Sequence, residues 1–286
     1  MMHLQTPVVL DKAPVTLSYS DTVLVLGSCF ADALGARLAE AGFAALCNPF
    51  GPLYNPVSLC NAIARLQSAV PFSADDVVEM GAGAGLFCSF WHHTSFARES
   101  RERFLEHAHA SLQEAAAFWH RCNRVVITLG TAWAFKRNDT GETVANCLKR
   151  PATEFTRYRI GLEAVSALLH GLVARYPDKR FIFTVSPIRH LADGAHGNQL
   201  SKSTLLLATE GLPYFPSYEI MMDELRDYRW WAEDMVHPTQ QAERYICDRF
   251  MEWTLVQDDK SRYEEALKAA RAARHRPHQP FSTREQ

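Results

Sequence analysis

Nowhere does the sequence hold an uncharged apolar run of the roughly 18 to 20 residues that a membrane span needs. Its start, MMHLQTPVVLDKAP, lacks the basic residues and apolar core of a secretory signal, so the expected compartment is the cytoplasm. Seven cysteines occur without a single CxxC pair, which excludes a Cys-type zinc ribbon and argues against a secreted disulfide framework. They are expected to be reduced, and most of them to be packing. No His, Asp or Glu cluster has metal-ligand spacing, so the chemistry is expected to need no metal. There is also no excess of charge: 30 Lys+Arg against 32 Asp+Glu give a net charge of −2, too little to hold nucleic acid or an anionic membrane through bulk charge. The glycine-rich stretch Gly81-Ala-Gly-Ala-Gly85 lacks the GKS or GKT of a phosphate loop and reads as a turn between sheet segments.

What remains is a chain of 286 residues, 47% hydrophobic, long and apolar enough for one large α/β domain over 1–259. Thr22-Val-Leu-Val-Leu-Gly27 reads as a buried strand that runs into a helix from Phe30 to Ala41, and residues 42–47 resume an extended pattern. Helices are expected over 57–67, 99–120 and near 155–176. Residues 124–130 and 180–187 repeat the strand that ends in a turn. His237-Pro238 is expected to open a last amphipathic helix, proline being suited to a first helical position. Short apolar strands alternating with helices imply a parallel sheet covered on both faces. Residues 260–286, with seven Lys+Arg against three acids, read as a basic surface helix and a frayed tail.

In such a sheet the reactive groups sit on loops beyond the carboxyl ends of the strands. Gly27-Ser28-Cys29 lies there, at a helix N-terminus whose free N–H groups favour an anion; this could lower a thiol pKa at Cys29 and supply an oxyanion donor. The same three residues could equally be a tight turn with a helix cap. Asp234-Met-Val-His237 supplies an orienting carboxylate and a base, three residues apart and in reach of each other across one helical turn. Triads are defined by geometry and occur in several chain orders. Arg189 and His190, just past a strand end, could bind a phosphate, carboxylate or glycan hydroxyl, or simply close their loop. His92 and His93 are neighbours in extended chain, so at most one of them faces a site.

Taken together, Gly27-Ser-Cys-Phe-Ala31, Asn48-Pro-Phe-Gly51, Gly130-Thr-Ala-Trp133, Ser186-Pro-Ile-Arg-His190 and Asp234-Met-Val-His-Pro238 resemble the landmarks of the GSCFA domain family, over roughly Thr22 to Trp253. That family looks like a branch of the SGNH/GDSL hydrolases, which implies a flavodoxin-like three-layer αβα sandwich and ester or acyl-transfer chemistry. Aligning the Gly-Asp-Ser-Leu motif of that superfamily on Gly27 puts Cys29 under the nucleophilic serine, with Ser28 the second candidate. The resemblance implies Gly51 as an oxyanion donor. Where the superfamily has a third-block asparagine the sequence reads Gly-Thr-Ala-Trp, so Thr131 or Asn146 would have to replace it. A Gly-x-Cys motif also occurs in some polysaccharide acetyltransferases that resemble the superfamily, which favours the thiol and favours transfer over hydrolysis.

The expected function is therefore an esterase or O-acyltransferase that forms an acyl-enzyme on a small ester or acylated carbohydrate. It would need no cofactor beyond an acyl donor such as acyl-CoA. The competing readings are a non-catalytic module that binds a glycan or nucleotide-like ligand on the same fold, and a thiol peptidase.

Overall fold

The computed structural model describes residues 6–83 and 85–274. Among the described residues are ten strands: β1 (Thr22–Gly27), β2 (Ala44–Cys47), β3 (Val78–Glu79), β4 (Phe87–Cys88), β5 (Arg124–Leu129), β6 (Trp133–Arg137), β7 (Thr143–Val144), β8 (Phe155–Arg159), β9 (Arg180–Val185) and β10 (Tyr214–Phe215). The helices are α1 (Cys29–Glu40), α2 (Pro56–Ser68), α3 (Arg101–Arg121), α4 (Leu162–Arg175), α5 (Gly194–Ala208), the single turn α6 (Ser217–Glu219), α7 (Gln240–Thr254) and α8 (Lys260–Arg274).

Five strands form the central parallel sheet, in the order β2-β1-β5-β9-β10. Numbered among themselves they run 2-1-3-4-5, the flavodoxin-like order. Each long strand sends alternate side chains to opposite faces. Leu24, Leu26, Val125, Ile127, Phe181 and Phe183 pack with α2, α3 and α4, whereas Val23, Val25, Val126 and Ile182 pack with α1 and α7. Both faces are covered, so the strands read as nearly unbroken apolar runs. The result is a three-layer αβα sandwich. Its chain order reverses between β1 and β5, and Cys29 follows β1 at this switch point, where open α/β sheets bind their ligands.

Three local readings of the sequence are corrected. Residues 155–176 are not one helix: β8 comes first, and Gly161 caps α4. It pairs with β6, and β6 with β7, in an antiparallel sheet that leaves the sandwich between β5 and α4. The helix expected to open at His237 begins at Gln240, where the Thr239 side chain accepts the Ala242 N–H at 3.2 Å; Pro238 instead bridges Trp231. The basic segment is more than a surface helix, since α8 buries Tyr263 and Leu267 in the α1/α7 layer. The expected tail, 275–286, lies outside the described residues. Gly81–Gly85 connects β3 to β4, with the Met80 N–H donating to the Leu86 carbonyl at 2.8 Å. Among the described residues no helix is long and apolar enough to cross a membrane.

Candidate active site

The turn after β1 allows only glycine. Gly27 has φ +144°, and a Cβ there would lie 2.2 Å from the Thr128 carbonyl oxygen of the neighbouring strand. Asn48 braces it, accepting the Gly27 N–H at 2.9 Å and donating to Asp32 Oδ1 at 2.7 Å. Ser28 is the N-cap of α1; its hydroxyl accepts the Phe30 N–H at 3.3 Å and lies 2.6 Å from Ser186 Oγ. Fully buried, it faces the sheet below and not the solvent side of the turn. Cys29, one residue on, is half-buried and lines a cavity of about 420 Å³ together with Tyr54, Asn55, Trp133, Arg157, His190 and His237. Of the two candidate nucleophiles the cavity therefore touches Cys29.

The thiol is not the acid that a helix N-terminus predicts. Burial, reinforced by the Glu243 and Asp32 carboxylates, pushes it up to about 11. The N–H groups of Cys29 and Phe30 pull the other way and lose. At neutral pH the thiol keeps its proton, so attack by sulfur requires a base.

Asp234 and His237, the candidate orienter and base, meet by a route other than the expected helical turn. Met235 sits in the left-handed region at φ +55°, and one Asp234 oxygen accepts the N–H groups of Val236 at 2.9 Å and His237 at 3.0 Å. The other lies 2.6 Å from His237 Nδ1. These bonds hold the Asp234 carboxyl well below the usual carboxylate range, the His237 N–H first among them. The ring is fixed with Nδ1 toward the carboxylate, which leaves Nε2 to take a proton. Arg189 secures this loop: its guanidinium donates to the Met235 carbonyl and lies 3.9 Å from the centre of the Trp231 ring. Arg189 thus spends one nitrogen on the protein, while its buried Nε, on a residue that lines the cavity, has no partner.

The oxyanion donors expected from sequence are engaged elsewhere. Gly51 N–H donates to the Asn48 carbonyl at 2.8 Å, and Thr131 N–H to the Tyr54 carbonyl at 3.0 Å. Thr131 does reach the cavity, but its hydroxyl lies 3.0 Å from Ser201 Oγ and accepts the Trp133 N–H. Asn146 closes a turn by accepting the Leu148 N–H at 2.7 Å. Neither Gly51 nor Asn146 lines the cavity. The histidine pair divides in an unexpected way. His92 is buried among Phe50, Phe72, Phe96 and Phe104, its Nδ1 2.6 Å from Ser89 Oγ, and burial drives its pKa down to about 3. His93 caps a turn by accepting the Ser95 N–H and packs on Gly51. Neither belongs to the Cys29 cavity. His190 does: burial, then the charges of Lys202 and His237, lower it to about 3, so its ring is neutral and bonded to the Gly130 carbonyl.

The sequence model of the GSCFA family matches residues 22–250, which is 229 of 286 residues and includes every element around this cavity. The chain belongs to the GSCFA family. No curated protein matches it. Two groups of this GSCFA site carry no strong sequence signal. Lys202, on α5, is fully buried; its Nζ donates to the Gly130 carbonyl at 2.8 Å and the Ser186 carbonyl at 3.0 Å, tying the carboxyl ends of β5 and β9 together below Ser28. Burial lowers this amine to about 7, opposed by the charge of Cys29. The other is the aromatic wall from β6 and β8, where Arg157 donates to Asp193 at 2.7 Å and lies 5.4 Å from the Trp133 ring. Asn55 is the N-cap of α2 ahead of Pro56, its side chain accepting the Ser58 N–H; nothing in its type marked it as cavity lining. Among the described residues no group of three or more His, Cys, Asp or Glu could hold a metal ion.

Proposed function

We propose that this chain is an acyl-transferring enzyme, an esterase or O-acyltransferase, with Cys29 as nucleophile. The observation that carries the reading is the placement of a half-buried thiol at a helix N-terminus and an Asp-oriented histidine on the wall of one cavity. Cys29 Sγ attacks the carbonyl carbon of an ester or thioester while its proton passes to His237 Nε2. The oxyanion that forms lies at the start of α1, where the Cys29 N–H and the helix dipole stabilise it. Collapse of the intermediate breaks the bond to the leaving group, which receives the proton from His237. An acyl-thioester remains on Cys29. Water or an acceptor hydroxyl, deprotonated by the same imidazole, then takes the acyl group and restores the thiol. The resemblance to SGNH hydrolases supports this reading, because a Gly-x-nucleophile turn after the first strand and an Asp-x-x-His before the last helix occupy corresponding places in that plan. An acylated carbohydrate or other small ester is the substrate class.

The raised thiol pKa favours one rival, a module that binds a small ligand without turning it over. Intact-mass and peptide-mapping analysis after brief exposure to an activated acetyl ester separates the two. An acetyl group on Cys29 that persists in Ser28→Ala and disappears in Cys29→Ala and His237→Ala is the expected result. Labelling scattered over several cysteines, indifferent to His237→Ala, would reject the enzyme.

A further inference from the structure

The cavity beside Cys29 has a size and chemistry of its own. At about 420 Å³ it falls within the roughly 300–1,000 Å³ of small-molecule sites, far more than an acetyl group occupies. Its walls are largely apolar, with Trp133 and Phe135 from β6, Ile188 beyond β9, Leu191, and Val236 beside the histidine. Several polar side chains on those walls are held by the protein, although the buried Nε2 of His190 and Nε of Arg189 have no partner. Arg157 is held by Asp193 and laid over Trp133 and Phe135. Arg189 is held by the Met235 carbonyl and Trp231, and Thr131 by Ser201. The indole N–H of Trp133 donates to the Gly197 carbonyl at 3.3 Å, which leaves its ring to the cavity as hydrocarbon surface. Leu191, on this wall, remains 39% exposed, an apolar side chain kept in contact with water where a ligand would cover it.

A sugar ring held in this space would find unpaired nitrogens only on His190 and Arg189 and would face apolar surface over most of the wall, whereas an alkyl or aryl group would displace water from that surface. We infer that the cavity is an acyl pocket, which seats a medium-length aliphatic or aromatic acyl group of about four to eight carbons beside Cys29. This inference rests on the acyl-transfer reading for its chemistry and adds to it the identity of the group transferred.

The test is the rate of Cys29 acylation by p-nitrophenyl acetate, butyrate, hexanoate and octanoate, each corrected for its own alkaline hydrolysis. A buried methylene contributes about 0.8 kcal/mol, or roughly fourfold. Acylation is expected to rise at least tenfold from acetate to hexanoate, and to lose most of that rise in Trp133→Ala and in Leu191→Asp, the second a partly exposed position that tolerates substitution. Equal corrected rates for acetate and hexanoate would overturn the acyl pocket while leaving the enzyme in place. If no ester acylates Cys29, the catalytic reading fails, and calorimetric titration with acetamide and hexanamide decides the pocket alone. Hexanamide binding at least tenfold tighter, and weakened by Leu191→Asp, upholds it; equal weak binding of both amides rejects it.

Discussion

Replacing Lys202 with methionine tests the floor of the site through the pH dependence of stability. Folding lowers the amine from 10.5 to about 7, chiefly by burial. At about 1.4 kcal/mol per pKa unit, discharging this lysine costs the folded state about 5 kcal/mol at pH 7. Between pH 7 and 10.5 the unfolded chain still holds the proton that the folded one has lost, so this cost falls as pH rises and stability increases. Methionine has a similar length and no charge, so it escapes the cost. It also abandons the Gly130 and Ser186 carbonyls, each worth about 1–3 kcal/mol when left without a donor. The two effects nearly offset at pH 7. Above it, wild type should gain on Lys202→Met by about 1.4 kcal/mol per pH unit until near pH 10, a widening of roughly 2 °C in Tm per unit for a chain this long. Buried thiols with raised pKa values work in the opposite direction above pH 9, but both proteins carry them, so they cancel in the difference. Denaturant unfolding of the two proteins at pH 7, 8, 9 and 9.5 supplies the measurement. A stability gap that stays constant with pH would show that Lys202 keeps its proton throughout and would refute the argument from burial.

Four further outcomes are expected. Iodoacetamide should alkylate Cys29 at pH 8 about 100-fold more slowly than a free cysteine and gain nearly tenfold per pH unit up to pH 10, because the thiol sits at about 11; a plateau by pH 7 would mean that a thiolate–imidazolium pair forms instead. Acyl-enzyme formation, read by intact mass against time, should fall by at least about 100-fold in His237→Ala. Asp234→Asn should lose activity by the same route, since an amide donor facing Nδ1 selects the wrong tautomer. Gly51→Ala should lower the denaturation midpoint by an amount equivalent to about 2 kcal/mol or more, since φ is +77° and the added Cβ would lie 2.5 Å from His93 Cβ; an unchanged midpoint would show that the turn yields freely.

The sandwich was legible because β1, β5 and β9 are buried on both faces and therefore spell themselves out as apolar runs. The local settings of Cys29, Asp234 and His237 were legible because each is tied to its neighbours within a few residues, by a cap or an Asx turn. Where the N–H groups of the oxyanion candidates point was not legible for the same local reason inverted: a glycine in a given place says nothing of its N–H direction, and that of Gly51 closes a turn on Asn48. The direction of the Cys29 shift was missed because the helix terminus is adjacent in sequence, whereas the burial that dominates it, and Glu243 more than two hundred residues away, are visible only in the fold. Residues 155–159 alternate too weakly to declare a strand, since β8 buries only Phe155. Lys202 reads in sequence as one more helical lysine, and only burial distinguishes it.

The antiparallel excursion β6-β7-β8 enters the chain as one insertion between β5 and α4 and contributes Trp133, Phe135, Val144 and Arg157 to the cavity wall. The thiol and the histidine come from the two ends of the sandwich and take no residue from it. Part of the proposed acyl pocket is therefore written in a stretch of sequence that holds neither the thiol nor the histidine, the rest coming from residues 188–191 and Val236. A graft that exchanges residues 133–159 for the corresponding stretch of another member of the family should shift the acyl preference and leave the proposed reaction intact.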